Sequence, residues 1–112
     1  MKKYNPIKHY KNFKKEYLEF VVFIKNGSYY CTYDSDAKIV SYVNGMPLVD
    51  GHIQIKKEQF SEMIKTLHKY GLNVVLAGSK NTNEYYTDKQ SCYMKVRAQS
   101  KEKFKATKSS VQ

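Results

Sequence analysis

Long apolar runs are missing from this 112-residue chain. The longest is Phe20-Val21-Val22-Phe23-Ile24, about a quarter of the roughly 20 residues that a membrane-spanning helix requires, so no membrane contact is expected. Cysteine is scarce: Cys31 and Cys92 are too few for a disulfide scaffold and fit a reducing cytoplasm in which thiols stay free. A secretory leader is not evident, because the basic start Met1-Lys2-Lys3-Tyr4-Asn5-Pro6 runs on into further lysines and polar residues. Patterns of catalysis are lacking too. There is no Gly-x-x-x-x-Gly-Lys-Ser/Thr phosphate loop, and no assignable Ser-His-Asp or Cys-His constellation. His9, His52 and His68 show no metal-ligand spacing with one another or with the cysteines. Asp50, Gln54 and Lys56 stand too close together, with glutamine a poor stand-in for a metal-binding carboxylate, to form a nuclease core. No enzyme, metal or cofactor is implied. Internal repeats are absent, and the length suits one small domain.

Acidic residues are outnumbered, ten against twenty basic ones, for a net charge of +10. The imbalance sits at the ends. Residues 1–15 carry six lysines and no acid, and residues 95–112 carry five lysines and Arg97 against Glu102, while the intervening body is nearly neutral. Two basic flanks suit a polyanion, whose condensed counterions are released as lysines neutralise phosphates. Solubilising, disordered termini have the same composition.

With 41% hydrophobic residues the chain can build a core. Asn5 as N-cap and Pro6 at the first helical position open a helix expected over Pro6 to Glu19, with an apolar stripe at Ile7, Tyr10, Phe13, Tyr17 and Leu18. Lys8, Lys11, Lys14 and Lys15 form its outer face in this reading. Phe20 to Lys25, the turn Asn26-Gly27 and Ser28 to Tyr33 read as a β-hairpin, whose first strand is apolar on both faces and so belongs at the centre of a covered sheet. A second helix is expected from Asp34 or Ser35 to Val43, stopped by Asn44-Gly45. Two short strands, Met46 to Val49 and His52 to Lys56, flank Asp50-Gly51. Glu58 to Tyr70 is the clearest helix, with Phe60, Met63, Ile64 and Leu67 on one face and Gly71 at its end. Asn73 to Ala77 is a buried strand, residues 78–91 a polar loop, and Cys92 to Ala98 a last strand. The expectation is a single α/β (α+β) domain over residues 1–98, a mixed central sheet with helices packed around it, followed by a basic, disordered tail over 99–112.

The string from Val21 to Ala37 resembles the N-terminal, mismatch-recognition domain of the MutS DNA repair family. That family carries an apolar strand, a Gly-Asp-Phe-Tyr-Glu motif and a Glu-Asp-Ala pattern opening a helix; Gly27, Tyr30, Asp36 and Ala37 match it in register. Phe60 to Ala77 is similar to the family's helix, glycine and strand. The resemblance implies a MutS N-terminal-like fold and a DNA partner, duplex and mismatched or distorted. It puts Tyr29 where the family phenylalanine stacks on a mispaired base, and Cys31 where its glutamate hydrogen-bonds that base. Tyrosine keeps a face that can wedge into a base step. Cysteine cannot replace the carboxylate, so mismatch recognition is expected to be reduced or lost. The candidate DNA-binding residues are Tyr29 and Cys31 together with Lys8, Lys11, Lys14, Lys15, Lys25, Lys95 and Arg97. Either Tyr29 or Tyr30 is alternatively core, since they lie on opposite faces of one strand. A protein-interaction module that reuses the fold is the competing reading, the tyrosines and lysines then meeting an acidic protein partner.

Overall fold

The computed structural model describes residues 5–78 and 80–110, the last six by backbone alone. The N-terminal lysines at positions 2 and 3 lie outside these residues, as do the last two residues of the expected tail.

Helix α1 (Pro6–Lys14) begins as its sequence directs, the Asn5 side chain accepting a hydrogen bond from the Lys8 backbone N–H. It ends five residues before Glu19. Tyr17 is diverted from the helix to pack edge-on against Phe20 and to donate its hydroxyl to Glu84. Strands β1 (Phe20–Asn26) and β2 (Tyr29–Tyr33) form the expected hairpin, with Gly27 at φ 63°, a backbone region open to glycine at little cost. Helix α2 (Asp34–Asn44) follows β2 directly, with no side-chain cap from Asp34 or Ser35, and stops at Gly45 in the left-handed conformation.

Residues 46–49 do not form the expected strand. Only a single bridge, Val49 to His52, precedes β3 (His52–Lys56). The Ser41 hydroxyl donates to the Met46 carbonyl, and Met46 and Leu48 pack onto the core instead of extending along β3. A 3-10 turn (Lys57–Gln59) leads into α3 (Phe60–Lys69), and β4 (Asn73–Ala77) lies where the sequence puts it. Within the expected loop is a further strand, β5 (Thr82–Tyr85), antiparallel to β4. Its polar sequence hides it, because an edge strand needs little apolar burial.

The chain's last element reverses the expectation. Cys92 to Ala98 is not a strand and the residues after it do not begin a disordered tail: one helix, α4, runs Tyr93–Ser110. Tyr93, Val96 and Ser100 are buried and Phe104 half-buried, at spacings of three and four. With only one large aliphatic among the first three, this face leaves almost no apolar period to read.

The mixed sheet has the order β3-β2-β1-β4-β5, with β1 and β4 parallel. Both faces of β1 are covered. Val22 and Ile24 face Tyr10 and Phe13 of α1, whereas Val21 and Phe23 face residues of α2, α3 and α4. Each fully buried side chain of that size contributes about 1.5–3 kcal/mol, so the two-sided burial of β1 is a large stabilising contribution.

Candidate nucleic-acid interface

At one end of the sheet the β1–β2 turn projects Tyr29, which is 39% exposed. Its cross-strand neighbours are Asn26 on β1 and Lys56 on β3. Lys25, Lys56 and Lys57 surround it and, with Gly27, Ser28 and Glu58, line a shallow cleft of about 340 Å³. Three ammonium groups against one carboxylate make this tip electropositive. The sequence pattern pointed to Tyr29 and Lys25 but not to Lys56 and Lys57, whose closeness to Tyr29 depends on the pairing of β2 with β3.

Cys31 shares the strand face of Tyr29 but is only 1% exposed, sealed in the core layer beneath α1. Its Sγ lies 4.0 Å from Gln54 Oε1, and burial pushes the thiol above the ordinary cysteine range, so it is neutral. Cys31 packs in this core layer and does not line the cleft at the tip. Tyr30, on the other face, is core and packs edge-on against Phe60.

Lys14 also departs from the expectation. It is not on the outer face of α1: its ammonium lies 3.1 Å from Asp36 Oδ1, donates to the Phe20 carbonyl at 2.5 Å and sits 4.4 Å over the Tyr93 ring. Asp36 is fully buried and accepts three more hydrogen bonds, from Tyr10 (2.8 Å), Tyr93 (2.7 Å) and the Val22 N–H (3.0 Å). This hub joins α1, β1, α2 and α4. Burial pushes the Asp36 carboxyl up and the Lys14 ammonium down, each opposed by the other's charge. Burial, and then the Asp36 charge, raise Tyr10 and Tyr93 far above the ordinary phenol range. The matched family Asp-Ala pair is thus structural here.

Lys11, Lys15 and Arg97 gather elsewhere, on a groove of about 500 Å³ between α1, the start of α2 and the start of α4, together with Leu18 and Met94. The groove includes Asp34 and Ser35, beyond the far end of β2 from Tyr29, and four residue steps of strand span about 13 Å. Lys8 and Lys95 are exposed on α1 and α4. The candidate residues therefore fall into two groups, one at the hairpin tip and one on the helices. Among the described residues, no group of three His, Cys, Asp or Glu side chains is placed to hold a metal, and no helix is long and apolar enough to cross a membrane.

A mixed five-stranded sheet sandwiched between helices, presenting an aromatic on its hairpin tip, defines the class as a small α/β domain of the MutS domain I type. The family model of MutS domain I matches residues 5–105, and the chain belongs to that family. The match runs into α4, past the expected boundary at residue 98. Comparison with curated proteins gives no match.

Proposed function

We propose that this protein is a non-catalytic, cytoplasmic DNA-binding module that meets a duplex with its hairpin tip. The observation that carries this reading is Tyr29, exposed at the turn and ringed by Lys25, Lys56 and Lys57. The lysines neutralise phosphates without reading sequence, and the tyrosine face stacks at a base step that is already weakened. Binding is then sequence-nonspecific and micromolar or weaker. Recognition of a mispair is reduced relative to the family, because the neutral Cys31 thiol lies inside the fold. The exposed cations Lys8, Lys11, Lys15 and Lys95, with Arg97, add long-range attraction from the helical side, whereas Lys14 is committed to Asp36.

The test is a labelled-duplex binding assay across a salt series, with paired, mismatched and single-stranded DNA. Affinity that falls steeply with salt and exceeds that for single strands supports the reading. No binding at low salt refutes it.

A second reading draws on the helical groove, where Leu18 is 67% and Met94 56% exposed beside Lys11, Lys15 and Arg97. Exposed apolar side chains flanked by cations suit a protein partner. Unchanged DNA affinity on Leu18→Ser with Met94→Ser, alongside abolished binding to a protein, supports that use.

A further inference from the structure

Behind the hairpin tip is a second cleft, of about 600 Å³, within the range of about 300–1,000 Å³ that small-molecule sites occupy. It shares Lys25 and Gly27 with the shallow cleft that holds Tyr29, so the two meet at the β1–β2 turn. It opens beyond Asn26 and Ala77, the carboxyl ends of the parallel strands β1 and β4, where open α/β sheets place their ligands.

Its lining has the chemistry of a nucleotide site. Tyr30 and Phe60, both nearly buried, and the half-buried Tyr85 form the floor, with Phe60 edge-on to both tyrosines at centroid distances of 4.8 and 5.8 Å, which fixes the rings and leaves Tyr85 the most accessible of the three. Asn26, Asn81 and Asn83 stand around that floor, and none of their side-chain amides is hydrogen-bonded to another described residue. Each amide offers a donor and an acceptor side by side, the complement of a base edge. Lys80 adds a cation at the rim, and among the described residues the lining contains no acidic side chain. Gly78 keeps the wall low: a Cβ there would press on the Asn81 carbonyl at 3.2 Å.

We propose that this cleft receives a single unpaired nucleotide, its base against the aromatic floor and asparagine amides and its phosphate at Lys80. The inference deepens the duplex reading and rests on it for the source of the nucleotide. A duplex held at the tip, with Tyr29 at a weakened step, presents an unpaired nucleotide to the neighbouring cleft, and a base that is already unpaired costs least to turn out.

The experiment is a ¹H–¹⁵N NMR titration of the full-length protein with a deoxynucleoside monophosphate, the corresponding nucleoside and inorganic phosphate. It is paired with affinity measurements on a fully paired duplex and on one with a single-nucleotide bulge. The monophosphate is expected to shift the Asn81 and Asn83 side-chain signals and the Gly78 amide saturably at millimolar concentration. Inorganic phosphate alone is expected to leave the asparagines unmoved. Asn83→Leu is expected to weaken the monophosphate at least tenfold and to erase any preference for the bulge, with paired-duplex affinity held within twofold. Asn81→Ala repeats the test without touching the backbone bond from Gly78 N–H to the Asn81 carbonyl. An absence of saturable shifts, or equal shifts with inorganic phosphate, overturns the cleft assignment even where the duplex binds. Loss of duplex binding with nucleotide binding retained overturns the proposal's second half, that the nucleotide comes from DNA at the tip.

Discussion

The ammonium of Lys14 lies 3.1 Å from Oδ1 of Asp36, a carboxylate that no solvent reaches. One lysine of the most basic stretch of the chain is thereby turned inward, and it ties the first helix to the second through a carboxylate that also anchors the last.

Asp36→Ala removes the counter-charge of the Lys14 ammonium and the acceptor of two phenol hydroxyls and the Val22 N–H. Removing one partner of a buried pair costs about 3–5 kcal/mol, and urea denaturation followed by circular dichroism is expected to show a loss of that size. Lys14→Met is also expected to destabilise, but to leave the salt dependence of duplex affinity unchanged. A reduced salt slope for a folded Lys14→Met protein would return that lysine to the binding surface.

Charge reversal separates the two basic groups. Lys25→Glu, Lys56→Glu and Lys57→Glu together are expected to lower duplex affinity at least tenfold and to flatten the slope of log affinity against log salt by about 0.9 for each phosphate no longer neutralised. Reversal of Lys8, Lys11 and Lys15 is expected to have the smaller effect. The opposite order, measured by fluorescence anisotropy across a salt series, moves the DNA surface to the helical side.

Tyr29→Ala is expected to keep the fold, since the side chain is partly exposed, and to abolish whatever preference exists for a mispaired duplex, base–aromatic stacking being worth about 1–3 kcal/mol. Tyr29→Phe retains it. Restoring the family carboxylate by Cys31→Glu is expected to destabilise the protein by several kcal/mol without raising mismatch preference, because it buries a charge among Val22, Ile24 and Val75. Thermal melts and paired-against-mismatched affinities check both.

The exposed pair Tyr17–Glu84 defines a pH window. The Glu84 carboxylate accepts from Tyr17 and Tyr86, which holds it below the ordinary glutamate range, and the same bond pushes Tyr17 up to about 12. Glu84 thus contributes stability that is present above its unfolded pKa and lost as pH falls through the folded one. The Tyr17 contribution is present below the ordinary phenol pKa of about 10 and lost as pH rises toward 12. Phenolate absorbance during alkaline titration is expected to show Tyr17 among the late-ionising residues, and Glu84→Gln to bring it earlier. Tyr10 and Tyr93 are expected to stay un-ionised until the fold is lost.

Sequence alone determined what is local or strongly periodic. The Asn26-Gly27 turn specified the hairpin, the two-faced apolar run of β1 specified a covered central strand, and Phe60, Met63 and Leu67 specified the inward stripe of α3. Gly27, Tyr30, Asp36 and Ala37 in register, with the helix, glycine and strand from Phe60 to Ala77, carried the resemblance to the family to which residues 5–105 belong. Tertiary structure decided which way ambiguous side chains turn. Lys14 and Lys15 are adjacent in one basic run, yet only Lys14 reaches Asp36; Tyr29 and Cys31 share a strand face, yet α1 covers only the second. β5 and α4 stayed hidden because one is an edge strand of polar residues and the other buries a face on which tyrosine and serine replace most of the aliphatics. Lys56 joined the tip by pairing with Tyr29 across β2 and β3, twenty-seven residues apart in the chain. A lysine has the same intrinsic propensity whether it meets water, a buried carboxylate or a cleft beside an aromatic, and only the partner brought from a distant segment selects among them.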